Sequence, residues 1–187
     1  MNLKENVINI FHYCPQCGNE KTLTQSNKKI YCTECTFTYY HNTAAAAAAI
    51  LEWNQKILVT IRKSPPNPGS FDLPGGFIDY SETSKEGIIR EIHEELNCKI
   101  NNPLYLFSFP NEYFYKNILY HTIDFFYYFQ FHEKPKIKAR DDITNYLWID
   151  IHEIKIENFP FQSIKSALKT FLNSRLRINE LSPDVSF

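Results

Sequence analysis

Leu73-Pro-Gly-Gly-Phe-Ile-Asp-Tyr-Ser-Glu-Thr-Ser-Lys-Glu-Gly-Ile-Ile-Arg-Glu-Ile-His-Glu-Glu-Leu-Asn-Cys-Lys-Ile100 places a glycine turn directly before a short helical pattern crowded with carboxylates. Thr83 is placed to N-cap that helix, with Glu86 reaching back from the third helical position in capping-box spacing. Ile88, Ile89, Ile92 and Leu96 recur on one side and predict a core-facing stripe. On the opposite side Glu91, Glu94 and Glu95 are expected to share one surface patch. Like charges at these spacings repel by roughly 0.2–0.5 kcal/mol per pair, so a counter-charge is required. Arg90 supplies one, within reach of Glu86 or Glu94, but a single guanidinium does not neutralise so many acids. A hard divalent cation, which takes oxygen ligands, would.

The spacing within this stretch, Gly76, five residues, Glu82, seven residues, then Arg90-Glu91-Ile92-His93-Glu94-Glu95, resembles the Nudix box. Two positions depart from the family pattern: Asn97 stands where glycine is usual and Cys98 where an aliphatic residue is usual. Asn tolerates left-handed backbone better than any other non-glycine residue, so a helix C-cap at Asn97 remains compatible with the box.

The resemblance implies an α/β fold, an α/β/α sandwich around a mixed sheet. It further implies that Glu91, Glu94, Glu95 and the carbonyl of Gly76 bind catalytic Mg²⁺ or Mn²⁺, and that Glu82 and Arg90 hold loop and helix together. The implied reaction is attack of water on a diphosphate joined to a nucleoside, with Glu91 or Glu94 deprotonating the water. Metal ions suit that chemistry because they neutralise phosphate charge and orient an in-line displacement. Asp141 and Asp142 lie where the family often supplies a further acid, although a turn also accounts for them.

Ahead of this stretch, Cys14-Pro-Gln-Cys17-Gly18 and Cys32-Thr-Glu-Cys35 form two CxxC pairs separated by 14 residues. Four thiolates at this spacing can close a tetrahedral shell around Zn²⁺, and Gly18 permits the tight turn that such a knuckle needs; the second knuckle has Thr36 instead. Residues 1–42 are accordingly expected to form a zinc ribbon with a structural ion, and residues 43–187 the Nudix domain. Disulfides and a redox pair are the alternatives. Met1-Asn-Leu-Lys-Glu lacks the layout of a secretory signal, which favours metal and makes the cytoplasm the expected compartment.

The 187 residues are 43% hydrophobic and 16% aromatic, enough for a packed core beside a small appendage. A net charge of −1 gives no basic footprint for extended nucleic-acid binding, and no apolar run approaches the ~20 residues needed to span a bilayer. The expected partner is a small nucleotide, with no membrane, no nucleic acid except a capped RNA end, and a homodimer left open.

Ala44 to Ala49 prefer helix by propensity, but the resemblance places a strand there, and small side chains would let sheet and helix approach closely. Lys56 to Arg62 reads as its hairpin partner across Asn54-Gln55, and Ser64 to Ser70 as a loop. Leu104 to Phe109, Ile118 to Phe131 and Tyr146 to Ile149 read as strands, with Pro110 to Asn117 between the first two. Phe161, Ile164, Leu168, Phe171 and Leu172 mark a C-terminal helix, followed by a tail over Asn179 to Phe187.

Ser108-Phe109-Pro110-Asn111-Glu112-Tyr113 lies about where the zinc-ribbon Nudix NADH pyrophosphatases carry Ser-Gln-Pro-Trp-Pro-Phe-Pro. The tryptophan and the first proline are missing here. Phe109 and Tyr113 are the expected base-stacking residues. The leading substrate expectation is ADP-ribose or a related nucleotide sugar, with NAD(H) or NAD-capped RNA second. From another class, the chain could be a nucleotide-sensing or docking module without turnover. His93 is expected to face solvent and Cys98 to be a partly buried thiol.

Overall fold

The structure is a computed structural model that describes residues 5–6, 11–20, 23–25, 28–116, 118–140 and 143–181. Asp141, Asp142 and the tail beyond Leu181 lie outside the described residues. The chain divides into two compact units, Met1–Ala44 with Glu112–Thr122, and Ala45–Asn111 with Ile123–Phe187.

In the first unit, β2 (Leu23–Gln25), β3 (Lys29–Cys32) and β4 (Thr38–Tyr40) form an antiparallel sheet. A two-residue strand, β1 (Glu5–Asn6), lies parallel to Ile118–Leu119 at the start of β10 (Ile118–Phe131). Ile30 and Cys32 are fully buried, so β3 carries the interior of this small sheet.

The second unit is built on β5 (Ala44–Trp53), β6 (Lys56–Arg62), β7 (Phe71–Asp72), β8 (Gly75–Phe77), β11 (Ile143–Asp150), residues 104–111 of β9 (Leu104–Tyr115) and residues 123–131 of β10. The order across the sheet is β10–β5–β6–β11, with β8 beside β5, β7 beside β6 and β9 beside β10. Since β1 runs parallel to β10 while the β5–β6 and β6–β11 pairs are antiparallel, the sheet is mixed. Asn54 and Gln55 both adopt positive φ, 49° and 58°, the two-residue turn that fits the twist of a tight hairpin between β5 and β6.

The sheet is covered on both faces, because its strands are apolar at successive positions. Ala47, Ala49 and Leu51 of β5, Leu58 of β6 and Tyr127 of β10 pack with Ile88, Ile92 and Leu96 of helix α1 (Ser84–Leu96). On the alternate positions Tyr128 of β10 meets Phe171 of helix α2 (Gln162–Leu181), ring centroids 5.5 Å apart. Arg175 of α2 donates to Tyr128 and to the buried Glu52 of β5, tying that helix to the sheet. The six alanines form a strand despite their helical propensity, and tertiary packing supplies the reason. Ala47 and Ala49 pack under α1, while Ala46, Ala47 and Ala48 pair with Phe77, Gly76 and Gly75.

Three expectations need correction. Residues 110–115 belong to β9, which runs through Pro110 to Tyr115. Among the described residues β9 pairs only with β10, and an edge strand tolerates proline because the missing N–H faces away from the ladder. The last strand begins earlier than Tyr146, at Ile143, after an irregularity in its register with β6. Helix α2 continues through Asn179 to Leu181, consistent with Pro183 being the first helix breaker after Gln162.

Candidate active site

Helix α1 starts as its sequence dictates. Thr83 accepts from the backbone N–H of Glu86 at 3.2 Å, and Glu86 accepts from the Thr83 N–H at 2.8 Å. These contacts hold the Glu86 carboxyl below its usual range. The helix closes at Asn97, φ 49°, whose N–H donates to the His93 carbonyl. Ile88, Ile92 and Leu96 are fully buried, each stabilising the helix by about 1.5–3 kcal/mol through removal from water. This burial fixes the rotation of α1, and with it the direction of its acids.

The turn before the helix is pressed against those acids. A Cβ built on Gly76 would stand 2.5 Å from the Glu91 carboxylate carbon, so position 76 has room for backbone alone. Gly75, at φ +148°, would place a Cβ 2.1 Å from the Ala47 carbonyl oxygen, and its N–H donates to Glu95 Oε2 at 2.9 Å. The sheet holds the rest of the turn. Ala49 N–H donates to the Pro74 carbonyl at 2.9 Å and Ile78 N–H to the Ala45 carbonyl at 3.0 Å.

Arg90 is the hub of the cluster. It donates to Glu82 through Nη2 at 2.6 Å and Nε at 3.1 Å, to Glu91 at 2.7 Å, to Glu94 at 3.1 Å and to the Phe77 carbonyl at 2.9 Å. Asp79 stands 3.7 Å from the same guanidinium. One cation therefore meets four carboxylates, and the surplus negative charge persists in the folded protein. The Arg90 bonds and the Asp79 N–H hold Glu82 below the usual carboxylate range, whereas burial pushes Glu91 up, with Arg90 opposing it only in part.

The family model for the NUDIX domain matches residues 41–168. The chain belongs to the Nudix family. Among curated relatives it is similar to the ADP-ribose pyrophosphatase of Methanocaldococcus jannaschii, 39% identical over 77 residues, 40% of this chain and 46% of that protein. It is also similar to the NAD-capped RNA hydrolase NudC of Photorhabdus laumondii, 32% identical over 98 residues, 52% of this chain and 38% of that one. The matches thus span less than half the length of these relatives. A solved NUDIX hydrolase from Nitrosomonas europaea shares the fold, with a TM-score of 0.71 and 22% identity over 89% of this chain and 93% of that one. So does the NUDIX domain of Shewanella oneidensis NrtR, solved in complex with ADP ribose, with a TM-score of 0.58 and 18% identity over 73% and 90%.

Within the Nudix box the structure brings Gly76, Glu82, Arg90, Glu91 and Glu94 together, and Glu95 joins them from an unexpected side. Glu95 is only 7% exposed, since it lies seven residues after Ile88 and three after Ile92, on the buried side of α1. Its charge, read from sequence, had placed it on the surface. Arg90 pairs with Glu94 as expected but not with Glu86, whose carboxylate caps Thr83. Gly87 was missed as a position that shapes the cluster. A Cβ there would lie 3.0 Å from Glu82 Oε1, so the glycine lets this carboxylate approach the helix. An isolated glycine inside a helix, which costs roughly 1 kcal/mol against alanine, is the signal that pointed to it.

His93 is exposed and Cys98 is buried at 7% exposure. Phe109 packs against Phe107 and Phe126, with centroids 5.3 and 6.2 Å away, and Tyr113 faces Tyr115 at 6.4 Å. Phe109 belongs to the second unit and Tyr113 to the first.

The four paired cysteines also converge. The Sγ atoms of Cys14, Cys17, Cys32 and Cys35 lie within 4.8 Å of one another. The Cys14–Cys35 and Cys17–Cys32 separations are 3.6 and 3.7 Å, far beyond a disulfide bond of about 2.0 Å. They match the roughly 3.8 Å between sulfurs in a tetrahedron with Zn–S bonds of about 2.3 Å. Gly18 and Thr36 take the same left-handed turn, φ 72° and 62°, after their respective knuckles. The donor set and spacing are compatible with zinc.

Proposed function

We propose that the carboxylate cluster on the glycine turn is the active site of a pyrophosphohydrolase that cleaves the diphosphate linkage of a nucleoside diphosphate derivative, ADP-ribose or a related nucleotide sugar first. The carrying observation is the Glu91 carboxylate seated against Gly76 where a side chain would otherwise stand. A hard divalent cation fits this donor set, which is all oxygen and carries more negative charge than Arg90 offsets. Glu91, Glu94, Glu95 and the Gly76 carbonyl would hold Mg²⁺ or Mn²⁺, which when bound supplies neutralisation of diphosphate charge and in-line alignment.

The remaining roles belong to the protein. Arg90 orients Glu91 and Glu94 and limits their mutual repulsion, Glu82 fixes Arg90 to the loop, and Glu95 holds the turn through Gly75. Glu91 is the better placed acceptor for the proton of attacking water. Its side chain is 15% exposed and seated against Gly76, while that of Glu94 is 46% exposed. Within the second unit, Phe109 is the residue offered to the base of the substrate. In the same reading residues 1–42 are a ribbon around one structural zinc, and residues 43–187 are the hydrolase domain.

Two observations keep NAD(H) or a NAD-capped RNA end as the second reading: the similarity to NudC and the four-cysteine cluster before the Nudix domain. The test incubates the full chain and Mg²⁺ with ADP-ribose, NADH, NAD-capped RNA, nucleotide sugars, dinucleoside polyphosphates and nucleoside triphosphates, and separates products by chromatography. Fastest release of AMP and ribose 5-phosphate from ADP-ribose supports the first reading. Cleavage of none of them shifts the balance toward nucleotide sensing without turnover.

A further inference from the structure

The glycine turn follows directly on a partly buried ion pair, Arg62 with Asp72, that the proposed chemistry does not use. Asp72, the last residue of β7, is 8% exposed. Its Oδ2 accepts from Arg62 Nη1 at 2.5 Å and its Oδ1 from the Leu73 N–H at 2.8 Å. Arg62, the last residue of β6, also closes the loop that follows it. Its Nε donates to the Pro66 carbonyl at 2.8 Å, its N–H to the Ser70 carbonyl at 3.1 Å, and its carbonyl accepts from the Gly69 N–H at 2.9 Å. The guanidinium lies over the Phe161 ring, 5.1 Å from its centroid.

Stability alone is a weak reason for such a pair. Desolvating two charges commonly costs as much as their attraction returns, and well-packed apolar residues of similar volume serve a core equally well or better. What an apolar pair cannot do is fix the orientation of a peptide. The Asp72 carboxylate binds Arg62 with one oxygen and the following peptide N–H with the other, so it sets the Leu73 peptide relative to β6. Two residues after Leu73, Gly75 has clearance for backbone alone against Ala47 and Ala48, and Gly76 is in close contact with the Glu91 carboxylate. A small rotation at Leu73 would be transmitted to both.

We propose that Arg62 and Asp72 are positioning residues for the hydrolytic site, setting the Leu73 peptide so that the Gly75–Gly76 backbone meets Glu95 and Glu91. The inference rests on the reading of the Gly76–Glu91 cluster as the divalent-cation site. Three variants of the full chain test it: Asp72→Asn, Arg62→Lys, and the double variant Arg62→Met with Asp72→Leu, which leaves no unpaired charge. Amide exchange at Gly75 and Gly76 is read by NMR without turnover, beside the Mg²⁺ concentration for half-maximal turnover and the melting temperature.

In Asp72→Asn and the double variant, exchange at Gly75 and Gly76 should accelerate while the buried α1 amides keep their rates. Half-saturating Mg²⁺ should rise by about tenfold, the lower end of what loss of a supporting shell costs a metal site. Arg62→Lys, which keeps the charge but loses the fork to Pro66, should fall between. Unchanged exchange at both glycines in a folded double variant overturns the proposal, as does failure of all three variants to fold, which would make the pair a stability element. If Glu91→Gln turns over normally, the reading of the site has failed, and glycine exchange still decides what Arg62 and Asp72 do.

Discussion

The Glu91 carboxylate occupies the space that a side chain on residue 76 would need: a Cβ on Gly76 would meet its Cδ at 2.5 Å. The obstacle at the neighbouring Gly75 is different in kind, the backbone carbonyl of Ala47 at 2.1 Å. A carboxylate at the end of a flexible side chain can swing aside, whereas a sheet backbone cannot. Gly76→Ala should therefore melt within a few degrees of wild type yet lose at least about tenfold in turnover, because the displaced group is part of the site. Gly75→Ala, with φ +148° added to the clash, should lose about 2–4 kcal/mol and roughly 5–15 °C in Tm. Thermal melts beside Mg²⁺-dependent turnover separate the two; equal losses of stability would contradict the distinction.

Glu94→Gln preserves the size and the exposure of this side chain but removes its charge. The helix should remain folded, since Glu94 contributes one partly exposed contact to Arg90. Turnover should fall by at least about tenfold, with higher Mg²⁺ recovering part of it. Turnover within about twofold of wild type would take Glu94 out of the proposed cation shell.

Stability should respond to pH through Asp72. Burial pushes its carboxyl up to about 6 against the opposing Arg62, from an ordinary value of 3.8. Between those values the folded protein binds a proton that the unfolded chain does not, so this group adds stability as pH falls through about 6. Glu91, also raised by burial, acts in the same direction. Glu82 and Glu86 are held below their ordinary value, so their contribution is present above it and is lost at more acid pH. His41, whose imidazole burial holds below its ordinary 6.5, acts in the opposite direction as pH falls. The Asp72 share is therefore read by difference: between neutral pH and about 5 the melting temperature of wild type should gain relative to that of Asp72→Asn. Parallel pH profiles for wild type and Asp72→Asn would rule Asp72 out as the titrating group.

The two proposed metals should be separable by ligand chemistry. Thiolates suit Zn²⁺ and carboxylates suit Mg²⁺, so brief chelation should empty the helix site first, and Mg²⁺ alone should restore turnover. Cys32→Ser should lose zinc and loosen the unit around β2, β3 and β4. Elemental analysis for zinc beside turnover at saturating Mg²⁺ reads both. Chelated protein that keeps its zinc but recovers only when more zinc is added would transfer catalysis away from the helix carboxylates.

Much of this arrangement can be read from residue order because it is local. The Thr83–Glu86 cap, the Ile88–Ile92–Leu96 stripe and the cysteine spacings each depend on neighbours a few positions away, and backbone geometry converts such spacing directly into proximity. What resisted reading depends on distant partners. Pro110 is punctuation in most contexts, and only a place on the sheet edge lets β9 pass through it. Glu95 shares the helix face of Ile88 and Ile92, so periodicity pointed inward while its charge argued outward. The glycine turn decided the matter by supplying the Gly75 N–H as a partner. Arg62 and Asp72 lie ten positions apart and carry no motif, so their pairing appears only once β6 and β7 are aligned.

The alanine strand carries a consequence for how this domain comes into being. A run that by itself favours helix has little reason to extend until something pairs with it, and its partners along Ala46, Ala47 and Ala48 include the phenylalanine and glycines of the turn at 75–77. Beside β10 and β6, the turn is thus one of the partners that hold this strand extended, and strand and loop stabilise one another. A variant that prevents the turn from docking should not accumulate as a well-folded, inactive shell. It should populate the unfolded ensemble, so damage at this turn would reach a cell as lost abundance as well as lost turnover.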